Sequence, residues 1–165
     1  MSRGPLIAAL LVLAVALGAC GVLGGDGREP ARGATATTSV TRVVDGDTAI
    51  LAGLGRSRLI GVDTPEVHGR RACFGAQAST FTKRTLEGRR VRYELGAEKR
   101  DRYGRALVYV WLADGRLFNA MLIAGGYAGT LEIAPNLRYA ERLRARARDA
   151  RREERGLWSS SNCST

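Results

Sequence analysis

Histidine is nearly absent from this chain of 165 residues: there is one, His68, beside cysteines at 20, 73 and 163. One imidazole with three cysteines at these spacings fits no zinc pattern, and His68 reads as an exposed loop residue. Lysine is scarce too, with 2 against 24 arginines. Net charge is nonetheless +10, which suits a polyanionic partner such as a nucleic acid or an anionic membrane surface. The abundance of Arg, Ala and Gly equally fits a compositional bias of the genome, so charge alone names no partner. Internal repeats are missing. The main apolar run, residues 6–17, falls short of the about 20 residues a spanning helix needs.

That run has the form of a signal peptide: Arg3 precedes it, and Leu17-Gly18-Ala19-Cys20 follows with small residues before a cysteine. The ending resembles the lipobox of bacterial lipoproteins. This implies cleavage before Cys20, lipid on its sulfur, and attachment to the extracytoplasmic face of the cell membrane; an ordinary signal peptide with an incidental cysteine is the alternative. In an oxidising compartment Cys73 and Cys163 either pair or stay free thiols. If paired, they would tie the C-terminal tail to the first helix, a loop closure that stabilises by about 4 kcal/mol.

The expected organisation is a signal peptide at 1–19, a flexible linker at 20–37, a folded domain at 38–158 and a tail at 159–165. Within the domain, apolar runs around Val40, Val43, Val44, Ile50 and Leu51 flank a polar turn at Asp45-Gly46-Asp47. A second strand is expected at 57–62, a helix at 75–86 with Ala76, Phe81 and Leu86 inward, and strands at 91–95 and 105–112. Asp114-Gly115 signals a two-residue hairpin. A short helix at 118–124 precedes a last helix at 137–155, where Ala140, Leu143, Ala147 and Ala150 share one face. Short antiparallel strands closed by helices give the fold class α+β: a five-stranded barrel like the oligonucleotide-binding fold, with about three α-helices.

Three clusters carry chemistry. They are Asp45-Gly46-Asp47-Thr48, Arg58 to Glu66 (R-L-I-G-V-D-T-P-E), and Asp101-Arg102-Tyr103-Gly104-Arg105. Each has a plain reading alone: a turn, a helix start with Asp63 as N-cap, a solvated turn. An EF-hand fails at the first, because its sixth and twelfth positions would be Ile50 and Arg56 rather than Gly and Glu. Together the clusters supply what phosphodiester hydrolysis requires. Carboxylates at 47, 63 and 66 suit a hard, oxygen-liganded cation. Guanidinium groups at 58 and 105 suit a bidentate phosphate clamp. One difficulty stands: Arg58 and Asp63 differ by five, so an uninterrupted strand would point them to opposite faces, and a bulge at Gly61 or a strand end must reconcile them.

In order and spacing these segments, with A-D-G at 113–115 and G-L-W at 156–158, resemble the staphylococcal nuclease (thermonuclease) family. The resemblance implies a calcium-dependent enzyme that cleaves single-stranded or duplex DNA and RNA with little sequence preference, leaving 3′-phosphate ends, and working as a monomer. It implies calcium ligation by Asp47, Asp63 and the Thr64 carbonyl, with Asp45 in support. Glu66 would act on the attacking water, Arg58 and Arg105 would hold the scissile phosphate, and Arg102 and Tyr103 would touch substrate. Departures are Leu131 and Ile133 where the family often has tyrosines, Gln77 where a helix glutamate is common, and a shorter loop after Glu66. The competing reading is a barrel lipoprotein that binds nucleic acid without cutting it. A pure binder has no use for carboxylates that repel phosphate, which favours the enzyme.

Overall fold

The structure, a computed structural model, describes residues 35–67 and 72–162. The expected signal peptide, Cys20, His68 and Cys163 lie outside the described residues.

Five strands close into a barrel in the order β1, β2, β3, β6, β5. They are β1 (Thr35–Val43), β2 (Thr48–Leu51), β3 (Gly55–Leu59), β5 (Arg90–Arg100) and β6 (Ala106–Trp111). β1 begins inside the stretch expected to be linker: Thr35, Ala36 and Thr37 pair with Glu94, Tyr93 and Arg92, and their β-branched threonines suit a strand. The ladders are antiparallel except β3–β6, which is parallel through Ser57↔Ala106 and Leu59↔Val108. The all-antiparallel expectation is therefore corrected at one seam. A barrel leaves no edge strand exposed, and Val40, Leu51, Leu59, Val108 and Val110 fill its interior.

The expected strand at 57–62 is two strands. β4 (Gly61–Asp63) leaves the barrel and pairs with β7 (Gly129–Leu131) in a separate ribbon. β6 is buried along nearly its whole length, because the helices cover its outer face. α2 (Phe118–Ala124) is almost wholly buried. α3 (Ala140–Arg152) buries Ala140, Leu143, Ala147 and Ala150 as its period requires, and is shorter than the expected 137–155. Its charged side carries pairs such as Arg144–Glu132 and Arg152–Asp149. In the last turn of α3, Arg151 stacks on the half-buried Trp158 beyond the helix, 4.4 Å from the ring centroid.

α1 (Gly75–Leu86) buries Gly75, Ala78, Thr82 and Leu86, while Ala76 is exposed. Positions 76, 81 and 86 step by five and drift around a helix, whereas 75, 78, 82 and 86 stay on one face. Phe81 is half-buried between Tyr127 and Phe118, its ring centroid 4.3 Å and 5.9 Å from theirs. Asp114-Gly115 turns as expected but closes only a single bridge, Trp111↔Leu117, before the chain enters α2.

Candidate active site

The first cluster is a tight turn between β1 and β2. Val44 N and Asp45 N both donate to Thr48 O, at 2.8 and 3.2 Å, and Asp47 N donates to Asp45 Oδ1 at 3.1 Å. From α1, Thr82 Oγ1 donates to Gly46 O at 2.6 Å, so the helix fixes the turn. Gly46 is needed for space: a Cβ there would lie 2.7 Å from the Thr64 side chain. That close approach lets Thr64 reach Asp47, whose Oδ2 accepts from Thr64 N at 3.0 Å and Thr64 Oγ1 at 2.8 Å. Burial, then the neighbouring Asp47 charge, pushes the Asp45 carboxyl above its ordinary range.

The parity difficulty is resolved by breaking the strand. β3 ends at Leu59, and Gly61 takes φ +78°, a conformation that L side chains rarely adopt. The break brings the side chains of Arg58 and Asp63 together. Arg58 Nη1 lies 2.7 Å from Asp47 Oδ2, and its Nη2 donates to Asp63 Oδ1 at 3.2 Å. Nη1 also donates to Val62 O at 3.1 Å. One guanidinium therefore bridges both carboxylates. The Asp47 end of this bridge is nearly buried, whereas the Asp63 side chain is 61% exposed.

The third cluster is a turn between β5 and β6. Asp101 Oδ1 accepts from Tyr103 N and Arg105 N, and Oδ2 accepts from Arg105 Nε at 2.7 Å. Partial burial works against the Asp101 charge, but these bonds, led by Arg105, hold its carboxyl below the ordinary range. Arg105 is thereby aimed rather than free. Tyr103 stands 68% exposed, with the guanidinium carbons of Arg102 and Arg105 4.9 and 5.5 Å from its ring centroid.

A groove of about 460 Å³ joins the second and third clusters, with Arg58, Arg102, Tyr103 and Arg105 along it and Leu131 and Ile133 as an aliphatic wall; the first turn meets it through the Arg58–Asp47 pair. Asn136 clamps the far end to β5, its Oδ1 accepting from Glu98 N and its Nδ2 donating to Glu98 O. Glu66 is not in this groove. It is exposed and lines the adjacent cleft with Val44 and Gln77. Its backbone is nonetheless held: Ala72 N donates to Glu66 O at 3.0 Å, and a Cβ on Gly75 would meet that oxygen at 2.8 Å.

The donors suit a hard cation. Asp47 and Asp63 already converge on one positive group, the guanidinium of Arg58, and every side chain at the turn offers oxygen. Among the described residues no group of three or more His, Cys, Asp or Glu forms a metal cage. A cation here would complete its shell with backbone carbonyls and water, which calcium accepts.

One supporting residue gave no signal in the sequence. Asn119 on α2 is fully buried. Its Oδ1 accepts from Val110 N, and its Nδ2 donates to Ile60 O and Val108 O. It thus ties the β3–β4 break to β6. An asparagine within an apolar helix reads from sequence as an ordinary interior position, and only tertiary packing shows its partners. Asn119→Leu leaves the Val110 N–H and Ile60 carbonyl buried and unpaired, and is expected to cost about 3 kcal/mol. Chemical denaturation checks this as a lower midpoint with an unchanged slope.

Cys73, just before α1, is disulfide-bonded, and its sulfur lies 3.1 Å from Asn162 O. The expected partner, Cys163, is outside the described residues.

Comparison with known proteins gives the family. The family model for staphylococcal nuclease homologues matches residues 56–160. The chain is 40% identical over 129 residues to a thermonuclease of Staphylococcus hyicus, covering 74% of this chain and 76% of that protein. It is 41% identical over 125 residues to a thermonuclease of Staphylococcus intermedius, covering 72% and 74%. Endonuclease YncB of Bacillus subtilis is 30% identical over 131 residues, covering 74% of this chain and 62% of that protein. The chain belongs to the staphylococcal nuclease family.

Proposed function

We propose that this chain is an exported calcium-dependent phosphodiesterase that hydrolyses DNA and RNA with little sequence preference and leaves 3′-phosphate ends. Its family makes it a nuclease. The observation that carries the finer reading is Arg58, which bonds to both Asp47 and Asp63 and lines the same groove as Arg105.

In this reading Asp47, Asp63 and the Thr64 carbonyl hold calcium, and Asp45 supports the turn. Bound there, the ion supplies positive charge to the phosphate oxygens as charge builds on them. Arg58 and Arg105 clamp the same phosphate; their forks match its oxygens and cannot lose their charge. Glu66, approaching from the adjacent cleft, takes a proton from water. The water oxygen bonds to phosphorus and the bond from phosphorus to the 5′ oxygen breaks. A 3′-phosphate and a 5′-hydroxyl remain, the latter taking its proton from solvent. Arg102 holds a neighbouring phosphate, and Tyr103 lies against the sugar or base.

The N-terminal sequence adds location. Residues 1–19 act as a signal peptide and Cys20 carries lipid, so the enzyme works on the extracytoplasmic face of the membrane; it acts there as a monomer. Residues 20–34 then reach from the lipid to β1, and the catalytic domain extends to residue 158. Among the described residues no helix is long and apolar enough to cross a membrane.

The aliphatic wall predicts weak grip on the base. Stacking on an aromatic ring is worth about 1–3 kcal/mol per base, and Leu131 and Ile133 present no ring. Ile133→Tyr is expected to lower KM for single-stranded DNA by about tenfold with kcat little changed, read by steady-state kinetics. The reading itself is tested by incubating the full-length protein with labelled DNA and RNA of one sequence and identifying the ends. Cleavage of both with 3′-phosphate ends is expected. Cleavage leaving 3′-hydroxyl ends contradicts it.

A further inference from the structure

The outward face of β1–β3 continues from the phosphate clamp. Directly paired residues on neighbouring antiparallel strands point to the same side, and so do residues two apart on one strand. Thr48 pairs with Arg58, Ile50 with Arg56, and Arg42 with Ile50. Ala49, Leu51, Ser57 and Leu59 alternate with these and are buried in the barrel. Arg58, Arg56, Ile50 and Arg42 therefore share the outer surface.

Arg56 lies two residues from Arg58 on β3, roughly 7 Å along the strand, which is about one nucleotide step of an extended backbone. The parallel register Ser57↔Ala106 puts Arg56 beside Arg105 as well. Arg42 stands two strands away, roughly 10 Å across the sheet. Arg42 and Arg56 are exposed, and half-buried Ile50 lies between them. Neither arginine has an ion-pair partner among the described residues. Of the acidic residues beside β1, Glu87 is engaged with Val43 N at 2.8 Å and Lys83 at 3.6 Å, and Glu94 with Arg138 and Tyr139. The charge on this face is consequently open to solvent and continuous with the guanidinium pair at the groove.

We propose that Arg56 and Arg42 form a binding track for the phosphates of a single nucleic-acid strand, extending the site so that polynucleotides are preferred over short fragments. This rests on the nuclease reading for the position of the scissile phosphate. In that geometry the strand enters the groove at Tyr103, passes Arg105 and Arg58, and leaves over Arg56, Ile50 and Arg42. Ile50 offers apolar contact to a sugar or base. The contacts are to the backbone and carry no sequence information.

The test compares the full-length chain with the double variant Arg42→Ala/Arg56→Ala. A second double variant, Arg144→Ala/Arg148→Ala on α3, loses the same charge elsewhere. Binding of a long oligodeoxythymidylate is measured across salt concentrations in excess chelator, where calcium-dependent cleavage is off. Hydrolysis of that oligonucleotide and of the dinucleotide thymidylyl-thymidine is then measured with calcium. The track variant is expected to bind the long strand about tenfold more weakly, with a salt slope shallower by about 1.4, for two lost single-strand contacts. It should cleave the dinucleotide like the parent, and the α3 variant should match the parent on both substrates. The proposal is overturned if the track variant binds the long strand like the parent, if both double variants lose affinity equally, or if dinucleotide cleavage falls as far as long-strand cleavage. Reduced binding to anionic phosphatidylglycerol vesicles with unchanged oligonucleotide binding also overturns it, and assigns the face to lipid. Loss of binding in the track variant of a chain that cuts neither substrate would sustain the track and refute the nuclease reading.

Discussion

Arg58→Ala is expected to lower kcat/KM for single-stranded DNA by about a thousandfold or more. Removing one donor to a developing oxyanion typically costs 100- to 1,000-fold, roughly 3–4 kcal/mol, and Arg58 does more than donate. Its guanidinium lies 2.7 Å from Asp47 and 3.2 Å from Asp63, and also donates to Val62 O. It orders both carboxylates while presenting its remaining N–H groups to the groove. Stability should fall as well. The pair with Asp47 has side-chain exposures of 13% and 9%, and breaking a mostly buried pair costs on the order of 3 kcal/mol. Arg58→Lys should not restore activity, because a point charge cannot fork between two carboxylates and a phosphate. Steady-state kinetics beside thermal melts separate the two effects. Activity of Arg58→Ala within tenfold of the parent would show that the guanidinium is structural only.

Glu66→Gln is expected to lower kcat by between about 100- and 10,000-fold, the range of a lost general base, with KM little changed. The substitution keeps the size and shape of the side chain and removes its charge and basicity. Because Glu66 is exposed, and its side chain makes no hydrogen bond or ion pair among the described residues, stability should not move. That separates it from Arg58. The same feature makes it the sharpest probe of the mechanism: a carboxylate in the neighbouring cleft has no structural task here, so an unchanged kcat would remove it from the reaction.

Much of this was legible in the sequence, for physical reasons. The α3 face followed from 3.6-residue periodicity, and Ala140, Leu143, Ala147 and Ala150 are buried as that period requires. The barrel strands were visible as short apolar runs between turn residues. The three chemical clusters were visible because carboxylates and arginines interrupt those runs. What period could not show was register between distant segments. The parallel β3–β6 seam joins residues about fifty apart, and β7 is three residues long with no pattern of its own. The meeting of Arg58 and Asp63 depends on a left-handed backbone at Gly61, which strand alternation excludes. The inward face of α1 was misassigned through Ala76, since a step of five matches no helical face. Asn119 was invisible because its three partners lie on β6 and at the β3–β4 break. The aiming of Arg105 by Asp101 was in reach: an Asp that opens a turn and accepts backbone N–H groups is a familiar local pattern.

The most direct test of the central claim is the rate of single-stranded DNA hydrolysis by the full-length chain across a calcium titration, repeated with excess chelator and with Asp47→Ala. The account predicts cleavage that rises and saturates with calcium, stops in chelator, and is lost in Asp47→Ala. Hydrolysis that persists in chelator, or that survives in Asp47→Ala at saturating calcium, would contradict it.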